Sequence, residues 1–277
     1  MPRLAQRPMA ALTTAIFYLI LKRERRAVAS NLRRVSGKHG LALQAKVYGV
    51  FYSFCDLISS YAFIPDASHE QLLGMLANPD RGAATIDGCH AAGRGVIVWT
   101  AHLGNPEFAS RLLEMHGRPV NVARVVEDKP AEKMLRDLMS NDRLRIVDLR
   151  GGARATIDLL QALRRNEIVA IQGDRVYHER HASEVSFFGS QAAFPLGPFV
   201  LSQVSGAPVL PGFVVRDGWL RYRVLLGEPI LPGSTGSREE DQRAGLREAV
   251  RFLEEQLANY YDQWVNFFDF WPVPNRD

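Results

Sequence analysis

The chain has 277 residues, of which 47% are hydrophobic and 23% charged, a composition typical of a globular protein and unlike that of a disordered chain. Its net charge of +4 is concentrated at one end, because residues 1–34 carry +7 and the other 243 residues sum to −3. A general nucleic-acid-binding protein carries basic side chains over its folded body, so nucleic acid is not an expected partner. The two cysteines, Cys55 and Cys89, are too few for a disulfide framework and indicate a reducing compartment.

The N-terminal region combines a short apolar run with basic flanks. Residues 9–21 contain no charged side chain, and Lys22-Arg23-Glu24-Arg25-Arg26 follows directly. A helix of this length spans about 20 Å, short of the roughly 30 Å hydrocarbon core, and no signal-peptide cleavage site follows it. We favour a helix that lies in an anionic membrane interface or serves as a short anchor; the alternative is a buried core helix with solvated ends.

The next part of the chain is predicted to be helical. Helices are expected over 25–35, ending near Gly37, over 41–63, and over 68–77, where Ser68 is a plausible N-cap.

From residue 95 onward, short β-branched runs alternate with helical patterns. Strands are predicted over 95–100, 120–123, 145–148 and 168–171, and helices over 105–116, 131–140 and 153–165. After a long loop come a helix near 198–205, strands over 208–215 and 220–226 that form a hairpin, and a helix over 238–261. This alternation predicts an α/β fold with a mostly parallel or mixed central sheet flanked by helices.

The residues after the first strand are the leading candidates for chemistry. They read Trp99-Thr-Ala-His102-Leu-Gly-Asn-Pro-Glu107, with Asn105 as the predicted helix cap and Pro106 in the first turn. Ligands gather where strand carboxyl ends meet helix N-termini. Glu107 would face the imidazole, hold one ring N–H and leave the other nitrogen as a base. Such a pair suits deprotonation of a hydroxyl that attacks an activated acyl group; a merely structural histidine is the alternative.

A second cluster of charged side chains follows the fourth predicted strand, at the same sheet edge. Arg175 is a candidate for binding phosphate, and Asp174 and Glu184 are acids that could reach the His102 pair. The adjoining Phe187 and Phe188 are candidates for lining an acyl groove. The alternative is a surface loop whose acids and arginine pair with one another.

Two further arginines, Arg124 and Arg150, follow strands toward this edge and are candidates for binding phosphate or carboxylate. The alternative is that each forms an ordinary ion pair at the surface. His178 and His181 have metal-like spacing but lack a third ligand, so we predict two solvated loop histidines and no metal site. The dense aromatic residues over 260–271 could lie at a membrane interface or cover the sheet.

The sequence resembles the lysophospholipid acyltransferase superfamily, and within it the bacterial lipid A biosynthesis (lauroyl and myristoyl) acyltransferases. His102-Leu-Gly-Asn-Pro-Glu107 matches the family's His-x4-acid box, with glutamate where aspartate is usual. The other matching segments, in the family's order, are Glu24-Arg-Arg with Asn31-Leu32, Asn121-Val-Ala-Arg124, Gln172-Gly-Asp174-Arg175, Val185-Ser-Phe-Phe-Gly189, Pro195-Leu-Gly-Pro with Ser205-Gly-Ala-Pro-Val-Leu-Pro211, and Gln263-Trp-Val-Asn-Phe-Phe-Asp-Phe-Trp271.

The resemblance implies transfer of a fatty acyl group from an acyl-ACP or acyl-CoA thioester to a lipid or glycolipid hydroxyl, as in lipid A and lipopolysaccharide biosynthesis, with no further cofactor. It implies His102 as general base, Glu107 as its orienting partner, and substrate contacts from Asn105 and the side chains of the second cluster. Expected partners are a membrane lipid acceptor, an acidic acyl carrier protein and an anionic membrane surface, at the cytoplasmic face of the inner membrane. We therefore divide the chain into a membrane-associating N-terminal helix, 1–26, and a single acyltransferase domain, 27–277.

Two other functions stay open from the residues alone. A thioesterase or esterase would use the same pair on water, and a noncatalytic protein would bind anionic lipid through its basic end. A serine hydrolase is disfavoured because the chain has no Gly-x-Ser-x-Gly motif, and nucleotide cofactors because it has no Walker A or Gly-x-Gly-x-x-Gly motif.

Overall fold

The computed structural model describes residues 3–79, 82–126, 141–177, 182–233 and 235–271. The helices are α1 (Arg3–Ile20), α2 (Lys22–Ser36), α3 (Gly40–Ser60), α4 (His69–Gly74), α5 (Ala83–His90), α6 (Pro106–Glu114), α7 (Ala153–Arg164), α8 (Gly197–Ser205) and α9 (Arg238–Tyr260), with 3-10 turns at Leu149–Gly151 and Tyr261–Gln263. The strands are β1 (Val96–Thr100), β2 (Val120–Arg124), β3 (Leu144–Asp148), β4 (Ile168–Gln172), β5 (Ala182–Phe187), β6 (Ser190–Pro195), β7 (Val209–Gly218) and β8 (Arg221–Leu226).

A six-stranded sheet in the order β3-β2-β4-β1-β7-β8 forms the centre of the protein. The strands β3, β2, β4, β1 and β7 run parallel, and β8 pairs antiparallel with β7 as the predicted hairpin. Strand β1 lies between β4 and β7, with Val98 opposite Ala170 and Leu210. The mostly parallel sheet of the sequence prediction is therefore confirmed.

Helices cover both faces of this sheet. On one face, Ile97 and Trp99 of β1 pack in a core with side chains from α2, α3, α7, α8 and α9. On the other face, Val96 and Val98 pack with Ile86 of α5 and Leu113 of α6. Strands buried on both sides read as continuous apolar runs, which is why β1 and β4 were recognisable in the sequence.

The N-terminal helices pack on one another through aromatic side chains. Tyr18 of α1 makes edge contacts with Tyr48 and Phe51 of α3, at ring-centroid distances of 5.4 and 5.6 Å. Helix α2 ends at Gly37, whose φ of 63° is the left-handed conformation expected of a glycine C-cap.

The apolar run of α1 has two different faces. Ala10 and Thr14 are buried, whereas a second stripe at helical spacing is exposed to solvent: Leu12, Ile16, Leu19 and Ile20. Among the described helices, none combines the length and apolar content needed to cross a bilayer. The predicted membrane association of this helix is therefore not confirmed.

The structure adds elements that the sequence analysis missed. Helix α5 was not predicted because its short sequence contains Gly88 and few apolar residues, although Ile86 and Cys89 anchor it in the core. The hairpin of β5 and β6 lies in the predicted long loop, and its two-residue turn has positive φ at Phe188 and Gly189. Phenylalanine is unusual in such a turn, so the common Asn-Gly signal was lacking. The helix predicted over 131–140 lies outside the described residues.

Candidate active site

Two neighbouring strands bring His102 and Asp174 together. Thr100, the last residue of β1, is paired with Gln172, the last residue of β4, and His102 and Asp174 each follow two residues later. The pairing continues past the strand ends, since the Gly173 N–H donates to the Thr100 carbonyl over 2.8 Å. The parallel register thus places both side chains at the carboxyl edge of the sheet.

His102 is bonded to Asp174 through both its ring and its backbone. The His102 Nδ1 atom lies 2.6 Å from Asp174 Oδ1, and the His102 backbone N–H donates to Asp174 Oδ2 over 3.0 Å. A carboxylate only accepts hydrogen bonds, so Nδ1 carries the proton in this pair and Nε2 is left with its lone pair. The His102 side chain is 17% exposed, and that of Asp174 is fully buried.

The C-terminal segment supplies the other donors to Asp174. The indole Nε1–H of Trp264 donates to Asp174 Oδ2 over 3.0 Å, and the Asn266 side-chain amide donates to the same oxygen over 3.4 Å. The segment is held against the turn after β1, because the Val265 N–H donates to the His102 carbonyl over 2.8 Å. Arg175 donates to the Val265 carbonyl over 3.0 Å.

These contacts keep Asp174 ionised. Complete burial acts to raise its pKa, but His102, by its positive charge when the ring is protonated and by its hydrogen bond, acts with the charge of Arg175 and the hydrogen bond of Trp264 to hold the pKa of Asp174 well below its ordinary value. The carboxylate therefore stays negative and fixes the orientation of the imidazole.

Glu107 lies in a different set of contacts. It is in the first turn of α6, after the Asn105 cap and Pro106, as the sequence predicted. Its Oε1 accepts a hydrogen bond from the Tyr61 hydroxyl over 2.6 Å and lies 3.7 Å from Nη1 of Arg124. The sequence analysis expected Glu107 to accept the hydrogen bond from a ring N–H of His102. In the structure Asp174 is the carboxylate that accepts a hydrogen bond from this ring.

A cavity of about 850 Å³ opens beside His102, between the sheet and helices α3, α5 and α6. Its polar end is formed by Thr100, His102, Glu107, Arg124, Gln172 and Arg175. Its apolar part includes Ile86, Val98, Leu112, Leu113, Val122 and Ala170. A mostly apolar cavity with a few polar groups at one end is typical of a site for an elongated amphipathic ligand.

Other predicted site residues have structural contacts. Asn105 is buried; its side chain caps α6 by accepting from the Phe108 N–H over 2.9 Å and donates to Ser60 over 3.1 Å. Arg150 forms an ion pair with Asp148 at 2.9 Å, and neither it nor Glu184 is among the described residues that line the His102 cavity. Glu184 instead lines a smaller polar cavity beside α9.

The two predicted groove residues belong to an aromatic cluster. Phe187 is fully buried and stacks on Trp271 at 5.3 Å, and Phe188 packs edge-on against the same indole at 6.4 Å. Of the C-terminal aromatics, Trp264 and Phe270 are also buried, so this part of the segment covers the core. His178 and His181 lie outside the described residues.

Sequence reasoning missed three residues of the site: Tyr61, Trp264 and Asn266. Trp264 belongs to the aromatic run over 260–271, and Tyr61 to the predicted helix over 41–63. Their polar atoms face partners 46 and 90 residues away. No local pattern reports such pairings. The one available signal was that Trp264 and Asn266 belong to a segment shared with the acyltransferase resemblance.

The chain is similar to known bacterial acyltransferases. The chain is 29% identical over 150 residues to the phosphatidylinositol mannoside acyltransferase of two Mycobacterium tuberculosis strains, CDC 1551 / Oshkosh and ATCC 25618 / H37Rv. The matched region covers 53% of this chain and 47% of each relative, so the alignment spans about half the length of these relatives. The model of the family described as bacterial lipid A biosynthesis acyltransferase matches residues 1–271. The chain therefore belongs to the bacterial lipid A biosynthesis acyltransferase family.

Proposed function

We propose that the protein is a membrane-associated O-acyltransferase that moves a fatty acyl group from a thioester to a hydroxyl of a lipid or glycolipid. The observation that carries this proposal is the contact of His102 with the buried carboxylate of Asp174, at the polar end of a largely apolar cavity. Membership in an acyltransferase family supports the reaction type. The printed name of the mycobacterial relatives supports a glycolipid as one class of acceptor.

The proposed chemistry starts at Nε2 of His102. Asp174 holds the Nδ1 proton, so Nε2 accepts the proton of the acceptor hydroxyl while its oxygen attacks the thioester carbonyl. The tetrahedral intermediate then collapses, the carbon–sulfur bond breaks, and the imidazolium returns the proton to the departing thiolate. Acyl transfer is completed without a covalent acyl-enzyme, and the buried carboxylate stabilises the imidazolium between the two proton transfers.

Charged residues at the polar end of the cavity fit the rest of the substrates. Arg124 and Arg175 both line this end, where an acceptor phosphate or the phosphopantetheine of an acyl-ACP or acyl-CoA donor would carry negative charge. In this proposal Asp174 orients the imidazole, and Glu107 holds Arg124 and Tyr61 at the entrance.

The exposed apolar face of α1 supports the proposed membrane association. Leu19 and Ile20 are the last residues of this face, and only Leu21 separates them from Lys22 and the exposed Arg23 at the start of α2. An apolar face bordered by cations is suited to an anionic leaflet, which we propose to be the cytoplasmic face of the inner membrane.

The direct test measures transfer from acyl-ACP and acyl-CoA to lipid acceptors by mass spectrometry of the products. We expect His102→Ala to lower turnover about 10²–10⁴-fold, the usual effect of losing a general base, with the fold intact by circular dichroism. His39→Ala, at an exposed histidine that makes no side-chain capping bond, is the matched control and should retain full activity.

Two results would contradict the proposal. Full turnover in His102→Ala would remove the assigned base. Release of free fatty acid at the same rate with and without every acceptor tried would instead identify a thioesterase, the hydrolytic alternative.

A further inference from the structure

The His102 cavity runs inward from the carboxyl edge of the sheet. Its walls include Val98 of β1 and Ala170 of β4, and each lies two residues before Thr100 or Gln172 at the polar end. Residues two apart in a strand share a face and are separated by about 7 Å. The cavity therefore continues along the strands, away from His102, as an apolar channel.

Helix α6 gives the direction and length of this channel. Because β1 and β2 are parallel strands of one sheet, α6 between them returns the chain from the carboxyl edge toward the amino edge. Glu107 in its first turn lines the polar end, and His116, just past its last residue, also lines the cavity. His116 is nine residue steps after Glu107, which at the helical rise correspond to about 14 Å, the last two steps lying in the turn that ends α6.

A histidine–aspartate contact lies at the far end of the channel. His116 Nδ1 is 3.5 Å from Asp87 Oδ1, and this contact joins the end of α6 to α5. The His116 side chain is 16% exposed and that of Asp87 is 72% exposed, so the pair lies where the cavity meets the surface. Between the two polar ends, the walls described above are apolar.

In the proposed reaction the apolar cavity is where the acyl chain of the donor lies, and we infer that the His116–Asp87 contact is the end wall that limits the length of this chain. This inference rests on the proposed acyltransferase function and adds the residues that select its substrate. An alkyl terminus that pushes between the two polar side chains separates their polar contact and gains little apolar contact, so longer chains are disfavoured. With about 1.3 Å of rise per methylene for C–C bonds of about 1.5 Å, the channel accepts a chain of about 10–12 carbons.

The experiment compares kcat/KM for acyl thioesters of even length from about 8 to 18 carbons, bracketing the length set by the helix rise. His116→Ala removes half of the end wall. We expect kcat/KM for the thioester two carbons longer than the wild-type optimum, relative to kcat/KM at that optimum, to rise about tenfold, because two more methylenes are then buried. Ala170→Leu fills the middle of the channel and should shift the optimum to shorter chains. His39→Ala is again the matched histidine control and should keep the wild-type profile.

A binding assay separates failure of the inference from failure of the proposed function. Displacement of a fluorescent fatty acid by fatty acids of increasing length reports the cut-off without turnover. If the longest fatty acid that binds changes in His116→Ala and Ala170→Leu while no acceptor is acylated, the channel is supported and the proposed acyltransferase function is rejected. Transfer with an unchanged length profile in both folded variants would overturn the end wall alone.

Discussion

The hydrogen bonds around Asp174 make this residue hard to replace. Its two oxygens face four N–H groups, from the His102 ring and backbone and from the Trp264 and Asn266 side chains. An asparagine at this position would turn an amide N–H toward at least one of these donors. Each unsatisfied buried group costs about 1–3 kcal/mol. We therefore expect Asp174→Asn to lower both the melting temperature and turnover, measured by calorimetry and by the transfer assay.

The stabilising effect of Asp174 should also depend on pH. Its folded-state pKa is lowered, so ionisation favours the folded state, and this contribution is complete above the unfolded pKa of about 3.9 and is lost as pH falls below it. The difference in unfolding free energy between wild type and Asp174→Asn should shrink as pH is lowered from about 5 toward 3 in urea titrations. A difference that stays constant over this range would contradict the ionised state.

Glu107 is expected to act on substrate binding. Glu107→Gln keeps an oxygen for the Tyr61 hydroxyl but removes the charge that faces Arg124. We expect a raised KM and a pH–rate profile like that of wild type, because the imidazole is held by Asp174. If Glu107→Gln instead shifts the pH–rate profile and leaves KM unchanged, Glu107 and not Asp174 is the residue that orients the imidazole.

At the scale of elements, the turn after β4 depends on close packing against β1. A Cβ atom on Gly173 would overlap the Trp99 indole, which is fully buried. Gly173→Ala must therefore displace either the indole or the backbone that carries Asp174. We expect a loss of about 1–3 kcal/mol in stability, measured by denaturant unfolding, together with lower turnover.

Gly74→Ala is the matched control for that substitution. Gly74 is helical, exposed and has open space around its Cβ position, so alanine there should leave activity unchanged and stability equal or slightly higher. Equal stabilities of the two alanine variants would show that the turn tolerates a side chain.

The elements of the central sheet could be predicted because each carries a local signal. Strands β1 and β4 are apolar runs with glycine or polar residues at their ends, and the Asn105-Pro106 start of α6 is a capping pattern. His102 and Asp174 were both found as strand-end residues. Their pairing with each other was left open, because it depends on β1 and β4 being neighbours, which follows from the strand order of the sheet and not from any spacing along the chain.

At the scale of the whole molecule, membrane docking is expected to depend on one face of α1. Replacing Leu19 and Ile20 with serine removes two exposed apolar side chains without touching the packing of α1 on α3. Burial of such a side chain is worth about 1.5–3 kcal/mol, so sedimentation with anionic liposomes should fall at least about tenfold. The double replacement of exposed Ile157 and Leu231 with serine is the matched control.

The basic residues after α1 should contribute in a salt-dependent way. Replacing Arg23 and Arg26 with glutamine should weaken liposome binding at low salt by about 1 kcal/mol per cation, and by less at high salt. If the variant with serine at positions 19 and 20 binds anionic liposomes as well as wild type does at every salt concentration, α1 is not the element that docks on the membrane.

The contacts of Trp264 and Asn266 with Asp174 also have a consequence for how the site forms during synthesis. His102 and Asp174 leave the ribosome well before residue 266, yet two of the four N–H groups around the carboxylate come from this late segment. A nascent chain that has reached only α9 has its sheet strands but lacks the groups that complete the burial of Asp174. The full set of contacts around Asp174 therefore forms only after residues 264–266 have been synthesised and have packed against the turn after β1.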